Sequence, residues 1–588
     1  MCGIIGYFGG KNASEIALKG LRRLEYRGYD SFGFALQKKT GAQFTVLKKV
    51  GAIENFKGRL SPSSLALAHT RWATHGGVSE KNAHPHLSND KSIAVVHNGI
   101  VENYLELKKF LKKKGYRFRS ETDTEVIPNM IQFFMKSRGK NFPEAVKLSL
   151  KKMKGYYAVV AMQKNFSGLI GARNGSPLVL GIGNSEFFLA SDVTAFLEFT
   201  HKTIFLDDNE MAIVGAEGTK IIGLKKNKKV SKKIQSIKWS VEQAKKGKYK
   251  HFTLKEINEQ AFTIKEALEQ PTGLVDDVAK SIRSAFGVFF VGCGTSYHSC
   301  VSASYVFSKV AKKHVNVVIA SEFRNYEHFL TPKTLVVAVS QSGETADLLD
   351  AVKFAKKKRC KVISIVNVMG SSLMRLSEKT LLMNSGPEIG VVSTKSYTAQ
   401  LAILLLLAYA VAGKKQQGKK LVSSASAAVP SIIRSTEPGI RRLAKKIKRA
   451  GHMFLIGRDL AFPTALEGAL KVKEICYIHA EGFAGAELKH GTIALIEKGT
   501  PCIVISTDRT RELILSNATE LKSRGAFIIG IDSKPNEVFH EFIKVKEFLD
   551  ASPIVDIIPI QLLSYYLAVE RKCNPDKPRN LAKSVTVK

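Results

Sequence analysis

The pattern of hydrophobic and polar positions changes partway along the chain. Up to about residue 217, short apolar runs alternate with polar and turn residues, as in SLALAHTRWATHGG and SIAVVHNGIVEN. This pattern predicts an α+β domain rich in antiparallel sheet. From residue 286 onward, short continuous apolar runs alternate with amphipathic stretches, which predicts parallel α/β structure because such strands are buried on both faces.

The second pattern occurs twice, about 165 residues apart. Such a repeat predicts two tandem domains of one fold. The paired segments are VFFVG (288–292) with HMFLIG (452–457), IASEF (319–323) with IHAEGF (478–483), VVAVS (336–340) with CIVIS (502–506), and KVISIVNV (361–368) with FIIGIDS (527–533).

Charge and cysteine content restrict the class of protein. The 588 residues carry 90 Lys and Arg against 51 Asp and Glu, a formal charge of +39. The basic clusters lie in separate segments, several of them without interleaved aromatic residues, which favours a solvated surface over a nucleic-acid site. The seven cysteines are an odd number with no CxxC pair, which argues against a disulfide framework and a zinc site.

No segment resembles a membrane anchor. The longest apolar stretch, 399–413, is shorter than the roughly 18–20 residues needed to cross a bilayer. The N-terminus lacks a basic region followed by a hydrophobic one. We therefore predict a cytoplasmic protein with reduced thiols and no membrane partner.

Cys2 follows the initiator methionine in MCGIIG. Removal of Met1 would place a thiol beside a free α-amine, and that amine could accept the thiol proton near neutral pH. Cys2 is therefore a candidate N-terminal nucleophile. The alternative is that a lone cysteine is a small buried apolar residue.

Two loops of the first α/β copy have the composition of a phosphate site. GCGTS (292–296) and SQSGET (340–345) each follow an apolar strand and open a predicted helix. Backbone N–H groups and hydroxyls then meet at the positive end of a helix dipole, which suits a phosphate monoester. Helix capping by Ser and Thr is the alternative reading of each loop. The corresponding turns of the second copy, GRDLAFPT and STDRTRE, lack this composition.

Three charged residues share one face of a predicted helix in the second copy. Glu467, Lys471 and Glu474 have the spacing i, i+4 and i+7, which is typical of a salt-bridged surface. A carboxylate held near a carbonyl sugar could instead move a proton between adjacent carbons. His490 and Lys583 are further candidates, for ring opening and for a Schiff base.

The first domain holds further candidates around the strand IAVVH. Asn98 and Gly99 follow it and could stabilise an oxyanion. Arg71 and Asp123 suit the carboxylate and ammonium of an amino acid, or form an ordinary ion pair. We predict no metal site, because no compact carboxylate–histidine ligand set accompanies the histidines of this domain, His69, His75, His84, His86 and His97.

Motifs along the whole chain resemble the glutamine:fructose-6-phosphate amidotransferase (isomerising) family. They include CGIIGYFG, HTRWATHG, HNGI, ETDTE, GCGTSY, SQSGET, LEGALKVKEICYIHAE, ELKHG and PRNLAKSVTV. The family implies an α+β N-terminal-nucleophile (class II) glutaminase domain of layered αββα type, followed by two tandem α/β SIS domains. The implied limits are glutaminase 2–217, basic linker 218–250, first SIS domain 279–419, second SIS domain 444–579 and catalytic tail 580–588.

The resemblance also implies roles for individual residues. Cys2 would attack the glutamine amide while Asn98 and Gly99 hold the oxyanion, and ammonia would pass through an internal channel to the sugar site. Glu474 would be the isomerising base, His490 the ring-opening residue supplied by the neighbouring subunit of a homodimer, and Lys583 the Schiff-base lysine. Glutamine would bind at Arg71, Trp72, Thr74, His75 and Asp123, with Trp72 as the gate of the channel. The sugar phosphate would bind at Thr295, Ser296, Ser340, Gln341, Ser342, Thr345, Val391, Ser393 and Lys471.

The implied activity is transfer of the glutamine amide nitrogen to fructose 6-phosphate, which gives glucosamine 6-phosphate and glutamate without a cofactor or metal. Two alternatives stay open: a glucosamine-6-phosphate deaminase of the SIS type, and a non-enzymatic sugar-phosphate sensor. The deaminase would lack a glutaminase half. A sensor would need none of the three candidates Cys2, Glu474 and Lys583.

Overall fold

The chain forms two compact units in a computed structural model that describes residues 2–73, 75–237, 239–240 and 242–585. The first unit comprises residues up to 245 together with those from Ala582 on. The second comprises residues 246–581.

The first unit contains two antiparallel sheets. Their order is β15-β11-β9-β10-β1-β4-β2-β3 in one sheet and β14-β13-β12-β8-β7-β6-β5 in the other. The strands are β1 (Gly3–Phe8), β2 (Ser31–Gln37), β3 (Thr45–Val50), β4 (Leu65–Arg71), β5 (His86–Leu87), β6 (Ile93–Val101), β7 (Gly155–Gln163), β8 (Gly168–Asn174), β9 (Val179–Ile182), β10 (Phe187–Ala190), β11 (Lys202–Phe205), β12 (Glu210–Gly215), β13 (Gly218–Gly223), β14 (Lys228–Lys229) and β15 (Gln235–Ser236).

Alternation along β6 explains how this unit is layered. Ala94 and Val96 belong to the apolar cluster between the two sheets, whereas Ile93 and Val95 belong to the cluster under the helices. Successive side chains of a strand point to opposite faces, so one strand serves two cores. Helix α1 packs on β1 and β4, and α3 packs on β6 and α4, which gives the predicted αββα layering. These helices are α1 (Ala13–Arg23), α2 (Tyr104–Lys113), α3 (Val126–Arg138) and α4 (Phe142–Lys152).

The second unit contains two parallel sheets with the same strand order, β17-β16-β18-β19-β20 and β22-β21-β23-β24-β25. This identity confirms the predicted duplication. The pairing of neighbouring strands shows which residues of the two copies are equivalent. Gly292 pairs with Ile319 in the first copy, and Gly457 pairs with Ala484 in the second. IASEF therefore corresponds to AGAEL at 484–488 and not to IHAEGF. The strands are β16 (Gly287–Gly292), β17 (Asn316–Ile319), β18 (Thr334–Ser340), β19 (Lys361–Val366), β20 (Lys379–Leu382), β21 (His452–Gly457), β22 (His479–Ala484), β23 (Pro501–Ile505), β24 (Phe527–Asp532) and β25 (Glu541–Lys544).

Helices of the second unit cover both sheets and share one apolar core with them. Every residue of α11 is buried. The helices are α5 (Phe252–Asn258), α6 (Gln260–Ala267), α7 (Leu274–Ser284), α8 (Thr295–Val306), α9 (Ala346–Lys357), α10 (Ser372–Leu376), α11 (Lys395–Val411), α12 (Lys415–Ile447), α13 (Ala461–Cys476), α14 (Arg511–Ser523) and α15 (Ser552–Glu570).

One helical segment, Leu549–Glu570, is long and apolar enough to cross a membrane by length and composition. Within its most apolar window 89% of the residues are buried inside the protein. It contains α15, which packs on α12 and α13 as a core helix does.

Part of the range predicted as linker, 218–250, belongs to the sheets of the first unit. β13 and β14 extend the sheet that contains β12, and β15 pairs with β11. Lysine-rich composition suggested a linker here. Strand pairing does not require apolar side chains at an exposed sheet edge, where lysine is common.

Candidate active sites

Cys2 lies directly before β1, a central strand of its sheet. The backbone N–H of Trp72 donates a hydrogen bond to the Cys2 Sγ atom at 3.2 Å. Burial raises the pKa of the Cys2 thiol, while this N–H and the nearby Arg71 lower it. Met1 lies outside the described residues.

Asn98 on β6 reaches Cys2 from the other sheet of the first unit. Its Nδ2 atom donates to the Cys2 carbonyl oxygen at 2.8 Å, and its Oδ1 atom lies 3.0 Å from Nε2 of His69. Since Oδ1 can only accept, this contact requires a proton on Nε2 of His69. The second hydrogen of Nδ2 remains for an oxyanion.

Gly99, the next residue, has a φ of 118°. A Cβ atom there would lie 2.0 Å from the carbonyl oxygen of Tyr156. The backbone conformation of β6 at this position therefore requires glycine.

Arg71, one of the residues expected to bind glutamine, is the last residue of β4. The Arg71 guanidinium donates to the carbonyl oxygens of His75 at 2.5 Å, Gly76 at 3.0 Å and Gly77 at 3.1 Å. It therefore shapes the loop that follows Trp72, and Thr74 in that loop lies outside the described residues. Trp72 packs edge-on against Tyr29, with ring centroids 5.3 Å apart.

Asp123 is buried, and its Oδ2 atom accepts the backbone N–H of Val101 at 2.7 Å. The same oxygen lies 4.0 Å from Nδ1 of His97. Burial lowers the pKa of Arg71, and the charge of Asp123 is among the effects that oppose this lowering. The carboxylate is therefore held by β6 at the edge of the same site.

Four of the five histidines considered for a metal are buried together. His69 stacks on His84 with ring centroids 4.2 Å apart, and His84 lies 4.8 Å from His86. Burial lowers the pKa of each, to about 3 for His69. Within the described ranges, no group of three or more His, Cys, Asp or Glu side chains is arranged to hold a metal ion. These imidazoles act as neutral hydrogen-bonding core residues.

The two predicted phosphate loops lie at one edge of the first parallel sheet. They follow β16 and β18, which are adjacent, and parallel strands place their carboxyl ends together. In the second loop the Ser340 Oγ atom accepts the Gly343 N–H at 3.0 Å and the Ser342 Oγ atom accepts the Glu344 N–H at 3.1 Å. Thr345 precedes α9, and Ser340 lies 3.5 Å from its hydroxyl. Gln341 accepts the Asn367 N–H through its backbone carbonyl at 3.1 Å.

Thr295 and Ser296 open α8 but differ in what they can donate. Ser296 Oγ accepts a hydrogen bond from Gln400 Nε2 at 3.1 Å, so its hydroxyl hydrogen can serve a phosphate oxygen. Thr295 Oγ1 donates to Glu467 Oε1 and accepts from Lys471 Nζ, both at 3.0 Å. The Thr295 hydroxyl is therefore committed, and its backbone N–H is the donor we expect a phosphate to meet.

Lys471 is the centre of a buried charge network. Its Nζ atom lies 3.1 Å from Glu467, 2.7 Å from Glu474 and 3.3 Å from the carbonyl oxygen of Ser393. These acidic neighbours raise the pKa of Lys471 although burial opposes them, so the ammonium stays protonated. A permanently charged amine is a poor Schiff-base nucleophile.

Val391, His490 and Lys583 are the remaining sugar-site candidates. Val391 is on the same loop as Ser393, and its backbone N–H donates to the Asp576 carbonyl oxygen at 3.1 Å. His490 is exposed at the end of a short 3₁₀-helix, Gly485–His490. Lys583 is grouped with the first unit, whereas Glu474 is in the second.

Sequence reasoning missed two residues at these sites. His298 contacts Glu467, and Asp576 holds the start of α5 as well as Val391. His298 follows Thr295 by three residues on a predicted helix, and this spacing, which places both on one helix face, could have indicated His298. The Asp576 contacts join segments remote in sequence, so no local pattern reveals them.

Comparison with known proteins covers the whole chain. A family model described as a glutamine amidotransferase domain matches residues 69–198, and one described as an SIS domain matches 281–410 and 446–571. The chain is 45% identical to the glutamine–fructose-6-phosphate aminotransferase (isomerizing) of Thermococcus kodakarensis and 44% identical to that of Pyrococcus horikoshii, with 100% of each chain covered. The chain belongs to this aminotransferase family.

A solved structure supports the assignment for the second unit. The C-terminal domain of glucosamine-fructose-6-phosphate aminotransferase from Francisella tularensis is 33% identical, with a TM-score of 0.53. It covers 57% of this chain and 100% of its own. The predicted order of a glutaminase domain and two SIS domains is therefore confirmed.

Proposed function

We propose that this protein transfers the amide nitrogen of glutamine to fructose 6-phosphate and isomerises the product to glucosamine 6-phosphate, releasing glutamate. The observation that carries the proposal is that one chain holds two distinct sites. One is at Cys2, whose Sγ atom accepts the Trp72 N–H and whose carbonyl oxygen accepts a hydrogen bond from Asn98 Nδ2. The other is the Lys471 network beside two hydroxyl-rich loops.

At the first site, Cys2 Sγ attacks the side-chain amide carbon of glutamine after removal of Met1 frees the α-amine. The carbon–sulfur bond forms as the carbonyl becomes an oxyanion, which Asn98 Nδ2 and the Gly99 N–H stabilise. Collapse breaks the carbon–nitrogen bond and releases ammonia, with the α-amine acting as proton shuttle. Water then hydrolyses the thioester to glutamate.

Arg71, Trp72, Thr74, His75 and Asp123 form the proposed glutamine pocket. The Arg71 guanidinium pairs with the substrate carboxylate in this proposal, and Asp123 pairs with its ammonium. The Arg71 bonds to the 75–77 carbonyls would then be shared or exchanged when glutamine binds.

At the second site, we place the phosphate on Ser296, Ser340, Gln341, Ser342, Thr345 and the Thr295 N–H, and the sugar against Val391 and Ser393. His490 of a neighbouring subunit opens the ring, and Lys583 forms a Schiff base with the ketose. After ammonia replaces Lys583, Glu474 takes a proton from C1 of the imine and returns it to C2, which gives the 2-amino aldose. Lys471 stays charged and orients Glu474.

Three further points belong to the proposal. A homodimer is needed for His490 to act across an interface. A cytoplasmic location is supported by the cysteines, all of which are free in the described chain. The proposed domain limits are glutaminase 2–217, linker 218–250, SIS domains 279–419 and 444–579 and tail 580–588, although the strands within 218–236 belong to the sheets of the first unit.

The experiment measures glucosamine 6-phosphate made from fructose 6-phosphate with glutamine as the sole nitrogen donor. We expect native protein to make it and Cys2→Ala to make none, while glutamine hydrolysis is also lost. Cys573→Ala is the matched control, because that half-buried cysteine lies in the second unit. Unchanged synthesis in Cys2→Ala would refute the mechanism, and product from ammonium salts alone in the native protein would favour the deaminase reading.

A further inference from the structure

We propose that His298 is a positioning residue for the isomerisation, which holds the Glu467 carboxylate and thereby fixes Lys471 beside Glu474. This inference rests on the function proposed above and adds a residue that the sequence motifs do not assign. His298 comes from α8 of the first SIS copy, whereas the other three residues come from α13 of the second.

The Glu467 side chain has 0% exposure and needs all of its partners from the protein. Its Oε1 atom accepts a hydrogen bond from Thr295 Oγ1 at 3.0 Å and forms an ion pair with Lys471 Nζ at 3.1 Å. Its Oε2 atom lies 2.8 Å from Nδ1 of His298. A buried carboxylate oxygen without a donor is costly, so this contact decides the direction of the carboxylate.

The protonation states follow from the partners. Burial raises the pKa of Glu467, but Lys471 and His298 outweigh it and lower that pKa overall, so the carboxylate is ionised. A carboxylate only accepts hydrogen bonds, and therefore Nδ1 of His298 carries the proton. The imidazole can donate in this way whether it is neutral or charged.

His298 lies at the edge of the network. Its side chain is 15% exposed, whereas that of Lys471 is 1% exposed. Thr295 and His298 are three residues apart on α8, so they present both donors from one helix face. His298 can therefore be replaced without placing a new charge in the core.

The consequence for the reaction runs through Lys471. With Oε2 held by His298, Glu467 engages the ammonium with Oε1 alone, and the ammonium also reaches Glu474 at 2.7 Å. Without His298, the free oxygen of Glu467 would turn toward Lys471, its nearest cation. Lys471 would then draw away from Glu474, and the proposed base would lose its orientation toward the sugar carbons.

The test uses three replacements that differ in the donor they offer. His298→Leu removes the hydrogen bond, His298→Asn places an N–H near the position of Nδ1, and His298→Gln places one near the position of Nε2. Each full-length variant is assayed for glucosamine 6-phosphate synthesis and, in the same sample, for glutamine hydrolysis. Thermal unfolding is recorded for each variant.

We expect His298→Leu and His298→Gln to lower kcat for synthesis about 10- to 100-fold, with KM for fructose 6-phosphate changed less than about 3-fold. His298→Asn should retain kcat within about 3-fold of the native value, and glutamine hydrolysis should be unchanged throughout. Rescue by Asn but not by Gln identifies the Nδ1 hydrogen bond, because a merely structural role would not distinguish the two amides.

Several results would overturn the inference. His298→Leu could synthesise glucosamine 6-phosphate at the native rate, or the Asn and Gln variants could have equal activities. A rise in KM for fructose 6-phosphate without a fall in kcat in His298→Leu would be a third such result. If His298→Leu fails to fold, the comparison of Asn with Gln decides. Failure of the native protein to make glucosamine 6-phosphate would instead refute the proposed function, so the two failures are distinguishable.

Discussion

The Nζ atom of Lys471 donates to the hydroxyl of Thr295 at 3.0 Å across 176 residues of sequence. Thr295 opens the phosphate loop helix of the first SIS copy, and Lys471 lies on the helix of the second copy that carries the proposed base. The bond therefore ties the proposed sugar-phosphate loop of one copy to the proposed proton-transfer residues of the other. Neither SIS copy alone contributes all the residues of the proposed site.

Replacement of Lys471 tests this network thermodynamically. Lys471→Met leaves Glu467 as a buried carboxylate without its cation, so we expect a loss of about 3–5 kcal/mol in the unfolding free energy of the second unit. Urea unfolding measures it. Lys445→Met on an exposed face of α12 is the control and should change little. The double variant Lys471→Met, Glu467→Met should regain part of the stability, and a Lys471→Met loss below about 1 kcal/mol would contradict the prediction.

Asp576 connects three remote segments of the second unit. Its carboxylate accepts the backbone N–H groups of Phe252 and Thr253, both at 2.8 Å, and its carbonyl oxygen accepts that of Val391. Asp576→Ala removes the cap from α5, and we expect it to cost about 1–2 kcal/mol of stability. The backbone carbonyl that accepts the Val391 N–H is retained in this variant, but residue 576 is no longer anchored to α5, so we expect that carbonyl to shift and KM for fructose 6-phosphate to rise as well.

Steady-state kinetics and thermal unfolding of Asp576→Ala check both effects. Asp277→Ala is the control, since that aspartate pairs with Lys379 on the surface. Native KM together with native stability in Asp576→Ala would show that the connection is dispensable.

Gly343 is the position in the SQSGET loop where a side chain does not fit. Its φ is 66°, and a Cβ atom would lie 2.2 Å from Oγ of Ser371. We expect Gly343→Ala to raise KM for fructose 6-phosphate by about 10-fold or more, because the loop must open and its N–H groups lose their common direction. Glutamine hydrolysis should not change.

Gly439→Ala provides the comparison for Gly343→Ala. It lies within α12, where the nearest atom to an added Cβ is Arg442 Nη2 at 4.0 Å. Alanine should be neutral or slightly stabilising there. An unaltered KM in Gly343→Ala would mean that this loop does not hold the phosphate.

The buried histidines make the first unit sensitive to acid. The unfolded side chains protonate near pH 6.5, whereas burial lowers the pKa of His69 to about 3 and that of His86 well below its ordinary value. Between these pKa values the unfolded state binds more protons, so stability falls as the pH drops below about 6.5. Each such histidine contributes about 1.4 kcal/mol per pH unit to the slope.

Unfolding free energies measured from pH 7 to pH 5 check this slope. His86→Gln keeps a polar group near Thr122, whose Oγ1 atom lies 3.0 Å from Nε2 of His86, and removes one titrating group. The slope should become shallower by the amount of one histidine. An unchanged slope would show that His86 does not contribute to the acid sensitivity.

The local pattern of hydrophobic and polar residues predicted most of the fold. Alternation along β6 predicted an antiparallel sheet, and the continuous apolar runs of β16 and β21 predicted parallel sheets. Both predictions succeed because the residues of a strand themselves show which of its faces are buried. The exception is 218–236, where lysine-rich strands at sheet edges read as linker. The segment equivalent to IASEF in the second copy is AGAEL and not the predicted IHAEGF, because strand register decides equivalence and similarity of sequence does not.

By itself, the sequence determined the family, the order of three domains and the residue types at both sites, since motifs such as SQSGET and HNGI are contiguous. Only the tertiary structure decided which of those residues act together. It committed the Thr295 hydroxyl to Glu467 and Lys471, brought His298 to Glu467, and placed Asn98 on the Cys2 carbonyl. The physical reason is that hydrogen bonds and buried charges are satisfied by neighbours in space, and these neighbours lie about 100 or more residues apart.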